Sequence, residues 1–416
     1  MTFRIEVEKI RNMLIFILLF FAAMNFQAKF FFFVFGATGV LLLLRRFFVV
    51  DYSAFVYLAL GIWMAIYNYD EGLLSMIRCI APTCFYLVGM NLTLEDNRNI
   101  GVERDLNYFQ KQGKNILLAI SLGSFSHYMM NYIYNLGQNL GRNTNDIWTG
   151  VSMAATGQNA LACLMLGLAV ALLFLPGKEW HRVLAAFSVI AILMYNLVLA
   201  GRTVIIILAC LLIVGFFYKK INKIPNKKSD IIYLAVISIL VLVLFLFNIG
   251  GIRDYVFKSE LLSRFNISLS SLTDDEARVG RKLNFISHAI FYPFGGLHLR
   301  EKYGFAHDLL LDGYDEYGFV ALVLMIIMLS MGIINIYKNL RYTSYSHSFK
   351  LMLLLINVSI LLEFMVEPIL EGMPWLFSCY SLINGCVSGL NRTYFSKRSL
   401  NNPDESIANQ YGLRRG

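Results

Sequence analysis

Apolar runs recur from one end of this chain to the other, separated mostly by short polar turns, with one polar interval much longer than the rest. About twenty apolar residues are needed for a helix to cross a ~30 Å hydrocarbon core, and in lipid only a helix or a closed barrel satisfies its own backbone. On that criterion the pattern predicts about twelve spans. They fall at 12–28, 30–44, 53–69, 73–91, 114–134, 151–175, 183–200, 203–218, 231–249, 315–337, 351–367 and 375–390. The expected fold is therefore an all-α polytopic membrane protein with one large extracytoplasmic loop between spans 9 and 10. Residues 1–249 carry transmembrane helices 1–9, 250–314 the loop, 315–390 helices 10–12, and 391–416 a cytoplasmic tail.

Composition agrees, since 57% of the residues are hydrophobic and only 15% are charged, a balance outside the range of soluble domains. The loops also predict an orientation, because cationic loops resist translocation. With the amino terminus inside, the inner segments hold 24 Lys and Arg, the outer segments 11, and Arg78 lies within a span, out of 36 in all. Eight of the outer cations sit in the single long loop, where the rule is weak. Both termini are thus expected in the cytoplasm. The first apolar stretch runs into a hairpin with the second and reads as an anchor, not a cleavable leader. No internal repeat of the kind many transporters show is visible.

The net charge of +9 follows from this inner-loop bias. It calls for no nucleic-acid partner, because the basic residues are dispersed and lack interleaved aromatic stacking residues. All six cysteines fall in expected spans, leaving the loop without a disulfide or a thiolate metal site. No His or Asp cluster suggests a metal, and no cofactor is expected.

Candidate chemistry gathers in the long loop. Thr273-Asp274-Asp275-Glu276 fits a capping box and predicts a helix from there to about Tyr292, ended by Pro293. Val279, Leu283, Ile286 and Ile290 would form its buried stripe. Arg278, Arg281 and Lys282 fall on an adjacent face, where they could hold an anion, or simply face water or anionic headgroups. Pro293-Phe294-Gly295-Gly296 follows, then Tyr303-Gly304-Phe305-Ala306-His307-Asp308. His307 could accept a proton near neutral pH or bond a phosphate oxygen, although a lone histidine is more often structural. His288 and His298 lie nearby without a motif.

Arg202 follows Gly201 in a tight outer turn, placing a guanidinium at the mouth of the bundle. There it could grip pyrophosphate bidentately, or snorkel to headgroups. Arg78, inside the fourth span, needs a partner that Glu363 or Glu367 could supply, a structural ion pair in preference to a catalytic one. Arg142 and His127 are weaker candidates.

In order along the chain, the Gly201-Arg202-Thr203 turn, the large loop, an arginine about fifteen residues before Pro-Phe-Gly-Gly, and Ala306-His307-Asp308-Leu309-Leu310-Leu311-Asp312 form one set. Glu316-Tyr317-Gly318-Phe319 and Glu371-Gly372-Met373-Pro374-Trp375 complete it. Over roughly residues 140–390 this set resembles the bacterial O-antigen polymerase and ligase superfamily, Wzy-type polysaccharide polymerases included. The resemblance implies a metal-independent glycosyltransferase of the bacterial plasma (inner) membrane, acting on undecaprenyl-pyrophosphate-linked glycan donor and acceptor among membrane lipids. The protein partners it implies are a chain-length regulator and a flippase.

By position the family's arginines fall on Arg202 and Arg278, with Arg281 the rival for the second, and its histidine on His307. Substrate contacts would extend to Arg281, Arg142, Arg78, Tyr303 and Asp308. The chain departs from the family's usual His-Asn, having Asp308, and from its aromatic soon after the loop arginine, having Lys282. These departures favour a polymerase over a ligase. A lipid-linked oligosaccharide flippase and a non-catalytic envelope scaffold are the alternatives from other classes.

Overall fold

A computed structural model describes residues 2–44, 48–95, 105–138, 143–175, 179–199, 201–224 and 278–401. The ninth expected span, the capping box at Thr273, and Arg142 lie outside the described residues. Of Arg278 the backbone is described but not the side chain.

The described chain is all-α apart from one short hairpin. Among the described residues nine α-helices precede residue 225: α1 Thr2–Ala23, α2 Phe30–Leu44, α3 Tyr52–Tyr67, α4 Leu73–Arg78, α5 Ala81–Thr93, α6 Leu106–Tyr134, α7 Ala155–Phe174, α8 Glu179–Leu199 and α9 Arg202–Ile221. After residue 277 come α10 Arg278–His288, α11 His298–Tyr303, α12 Leu309–Tyr342, α13 His347–Phe364, α14 Ile369–Gly372 and α15 Pro374–Asn401.

Among the described residues, six helical segments are long and apolar enough to cross a membrane: Leu73–Thr93, which joins α4 and α5, then α7, α8, α9, α12 and α13. The apolar α2 and α3 are shorter. One expectation fails in detail. The stretch 151–175 is not helical throughout, because Ser152–Ala154 (β2) pairs antiparallel with Asn143–Asn145 (β1), and α7 starts only at Ala155. Polar side chains from α6 and α7 bind this hairpin, and that local bonding outweighs the apolar character of the strand.

The helices pack in the order α1 with α2 and α6, α6 with α7, α7 with α8, α9 and α13, and α5 with α15. Helix ends that the alternation assigns to one side do meet. Tyr67 bonds the Phe294 carbonyl at 2.8 Å and His307 faces Glu367 at 3.8 Å on what is here termed the loop side. On the opposite side Arg392 reaches Asp51 at 3.2 Å and Lys397 reaches Glu95 at 2.9 Å. Asp51 also caps α3 through Ala54 N and accepts from Tyr86 and Ser388, at 3.0, 2.9 and 3.2 Å.

Small residues set the closest crossing. A Cβ on Gly385 would stand 1.9 Å from Tyr86 O, and one on Gly89 would stand 2.1 Å from Leu382 O, so α5 and α15 meet backbone to backbone. Between membrane helices such contact replaces the hydrophobic drive that lipid cannot supply. Gly385→Ala is therefore expected to overpack the crossing by about 1–3 kcal/mol and lower the unfolding midpoint in detergent. Gly39→Ala, where the new methyl would meet open space, should leave the midpoint unchanged or raise it; equal midpoints for the two variants would contradict the crossing.

Candidate functional site

The loop side is organised around a break in α12. Gly318 has φ +76, a left-handed conformation, and the turn that this opens frees backbone groups on both sides of it. Four of them find partners in other segments. Leu297 N donates to Asp315 O at 2.9 Å and Gly296 N to Glu316 O at 3.5 Å. Phe319 N donates to Pro293 O at 2.8 Å, and Trp63 Nε1 donates to Tyr317 O at 2.8 Å. The approach requires glycine on both strands, since a Cβ on Gly295 would lie 2.7 Å from Gly318 N and one on Gly318 2.7 Å from the Phe294 carbonyl carbon. Pro-Phe-Gly-Gly is thus the plug for the broken helix.

Arg300 ties the remaining motif pieces to this plug. Its guanidinium pairs with Glu371, lies 3.2 Å from Glu316, and stacks 4.4 Å over the Phe305 ring. Asp315 accepts the Leu299 and Arg300 amides at 2.9 and 3.1 Å. Sequence reasoning passed over Arg300. The one signal in the sequence was that Glu316 and Glu371 stand in motif pieces far apart in the chain, either of which an arginine could join.

His307 occupies the turn before α12 with φ +56, an uncommon conformation for a residue with a Cβ. The Asp312 carboxylate grips the turn on both sides, accepting Ala306 N at 2.8 Å and Asp308 N at 2.9 Å. Asp308 caps α12 through the Leu310 and Leu311 amides and receives the Lys282 ammonium at 2.9 Å. Lys282 also donates to Met365 O at 2.6 Å. The amides on either side of the imidazole are therefore both bonded. Its Nδ1 lies 3.8 Å from Glu367, which is fully buried.

Helix α10 differs from expectation in its facing. Leu283, Ile286 and Ile290 were expected to be buried, yet all three are exposed, and the buried side chain is Phe285, packed with Leu299, Ala306 and Tyr314. The helix turns Lys282 and Phe285 toward the bundle, and a Cβ on Gly304 would lie 3.5 Å from the Arg281 guanidinium. Arg278 opens α10 one turn earlier.

Other sequence candidates separate. Arg202 opens α9, which packs on α13, the helix of the buried Glu363. These two helices run oppositely, which puts Arg202 and Glu363 at the same end of the pair. Tyr303 contacts His288 at 3.4 Å. Arg78 does not pair with the glutamates; it is exposed at the end of α4, its guanidinium 4.9 Å from the Phe31 ring.

A second polar cluster supports the Arg202 turn. His127 Nε2 lies 2.6 Å from Asp146, and both are buried. Asn131, Gln158, Thr144 and Tyr195 continue the chain of hydrogen bonds at 3.1, 3.0 and 3.2 Å. Asn196 donates to Gly201 O at 2.6 Å, immediately before Arg202. No group of His, Cys, Asp and Glu able to hold a metal occurs among the described residues. Compared with the known protein families and with curated proteins, the chain matches none.

Two outcomes are expected. Gly318→Ala places a side chain where φ is positive, at a cost of about 1–2 kcal/mol before its clash with the plug, and should expose the Tyr292–Phe294 segment to chymotrypsin; wild-type resistance would contradict the lock. For Asp146, burial pushes the pKa up but the His127 and Thr149 bonds outweigh it, and the carboxyl ends below its ordinary value. The stability it supplies is complete above about pH 4, the unfolded value, and is lost as pH falls through the lower folded one. Asp146→Asn should flatten the acid side of the unfolding midpoint against pH, and an unchanged slope would refute the pairing.

Proposed function

We propose that this chain is a bacterial plasma-membrane glycosyltransferase, a polymerase that joins undecaprenyl-pyrophosphate-linked oligosaccharide repeats at the outer leaflet. In this reading the bundle has about twelve spans, both termini are cytoplasmic, and the loop side is extracytoplasmic. The observation that carries it is the histidine turn: His307, held at positive φ by Asp312, with its ring beside the buried Glu367. A backbone kept in a sparsely populated region and tied down from several directions is what preorganised chemistry needs.

In the proposed reaction an acceptor hydroxyl gives its proton to His307 while its oxygen attacks the anomeric carbon of the donor. The bond from that carbon to the pyrophosphate oxygen breaks, and the lipid pyrophosphate leaves with the electron pair. Glu367 orients the imidazole and stabilises its protonated form, as an acid does for a histidine base. Arg202, Arg278 and Arg281 neutralise the departing diphosphate, the charge-stabilising role that commonly contributes most. Lys282 is already engaged by Asp308 and Met365 O, so the arginines bear the anion. Pyrophosphate is a good leaving group and lowers the demand on the base.

Purified protein in nanodiscs, given a lipid-pyrophosphate oligosaccharide, should build a polymer ladder. Arg202→Lys keeps the charge but loses the guanidinium fork, and should slow the ladder by about 100-fold. An undiminished ladder from that variant removes Arg202 from the mechanism. Movement of the lipid between leaflets without a ladder would mean a flippase.

A further inference from the structure

The apolar face of α10 points away from the protein. Leu283 and Ile286 are 60% and 61% exposed, and Ile290 is 80% exposed. Phe291 and Phe294 in the following turn extend the same surface at 71% and 76%. Within α10, positions 283 and 286 share one face, with Phe285 and Arg281 across from it and Lys282 at its edge, and Ile290 follows in the short turn Ala289–Phe291. Isolated exposed apolar side chains are ordinary, but five large ones along a single short segment are not.

The surface is also placed where lipid must be. Phe319 N donates to Pro293 O at 2.8 Å, which sets Phe294 beside the first turn of α12 after its break. There Phe319, Val320 and Val323, and further along Ile326 and Ile327, are exposed on a helix apolar enough to cross a membrane. Such a row on a spanning helix faces acyl chains. The apolar face of α10 continues that row at the loop-side end.

We infer that α10 and the segment through Phe294 lie in the interface of the loop-side leaflet, with Leu283, Ile286, Ile290, Phe291 and Phe294 immersed in the border of the acyl chains. A short helix with one apolar and one cationic face lies in that plane. The immersion holds Arg281 on the opposite face, and Lys282 at the edge where it reaches Asp308, at headgroup depth beside the His307 turn. This inference rests on the chain being membrane-embedded and not on the glycosyltransferase reading.

Single nitroxide labels test it. The full chain, with the partly exposed Cys79, Cys84 and Cys210 changed to Ala, would carry Leu283→Cys, Ile286→Cys, Ile290→Cys or, on the polar side, Asn284→Cys, and be placed in phosphatidylcholine nanodiscs. Oxygen concentrates in lipid and a nickel chelate stays in water. Labels at 283, 286 and 290 should relax faster with oxygen than with nickel, and the label at 284 should show the reverse. Nickel access at 286 and 290 would overturn the inference. So would exclusion of both reagents there, which would mean that protein, a second copy or another segment of this chain, covers the face. Three positions on this surface keep the test decisive if one variant fails to fold.

Discussion

A helix that breaks at the edge of a membrane must satisfy the carbonyls and amides it frees, because lipid offers them nothing. In this chain the break at Gly318 is filled by the backbone of Pro293 to Leu297 and by the Trp63 indole. Almost everything on the loop side hangs from that repair. It docks the plug against α12, sets α11 on the Asp315 carboxylate, and brings Arg300 to Glu316 and Glu371. The stretch from Tyr303 to Asp308 then has only a short path between α11 and the start of α12. His307 is carried into that path with its backbone already fixed.

The loop-side chemistry is therefore assembled from segments far apart in sequence. Lys282 meets the carbonyl of Met365, and His307 meets Glu367, across the ends of α10, α12 and α13. On the other flank, the hydrogen-bond chain from the β hairpin through Asn131, Gln158 and Tyr195 to α8 fixes the ground on which the Gly201-Arg202 turn stands. Buried polar networks of this kind are costly when half satisfied and specific when complete. These networks lie at the end proposed to handle a charged lipid, while the Asp51 network with Tyr86, Ser388 and Arg392 ties the opposite end.

Much of the fold was legible because apolar run length is a strong signal. Helices such as Phe30–Leu44, Glu179–Leu199 and Arg202–Ile221 lie within a few residues of the runs that predicted them. The hairpin was not legible. Its stability comes from side chains on α6 and α7 that only the tertiary structure brings near, and Val151 to Ala154 looks apolar in isolation. The facing of α10 was also misread, for a physical reason. In water an apolar stripe on a helix turns inward, but at a membrane edge lipid competes with protein for it, and periodicity alone cannot say which wins. For the site, spacing drew attention to His307 and to Pro-Phe-Gly-Gly. The work of the second is structural, and Asp312, which holds the turn of the first, entered the sequence reading only as the end of its motif, as Glu367 beside the ring entered it only as an ion-pair partner for Arg78.

Amide hydrogen exchange of the embedded protein, resolved to single residues, tests the helix repair most directly. The account predicts that the amides of Leu297, Ala306, Asp308 and Phe319 exchange as slowly as those inside α12, although the first three lie in or beside loops. Exchange of these four at the rate of an open loop would contradict it, since the plug and the histidine turn would then have no fixed relation to each other.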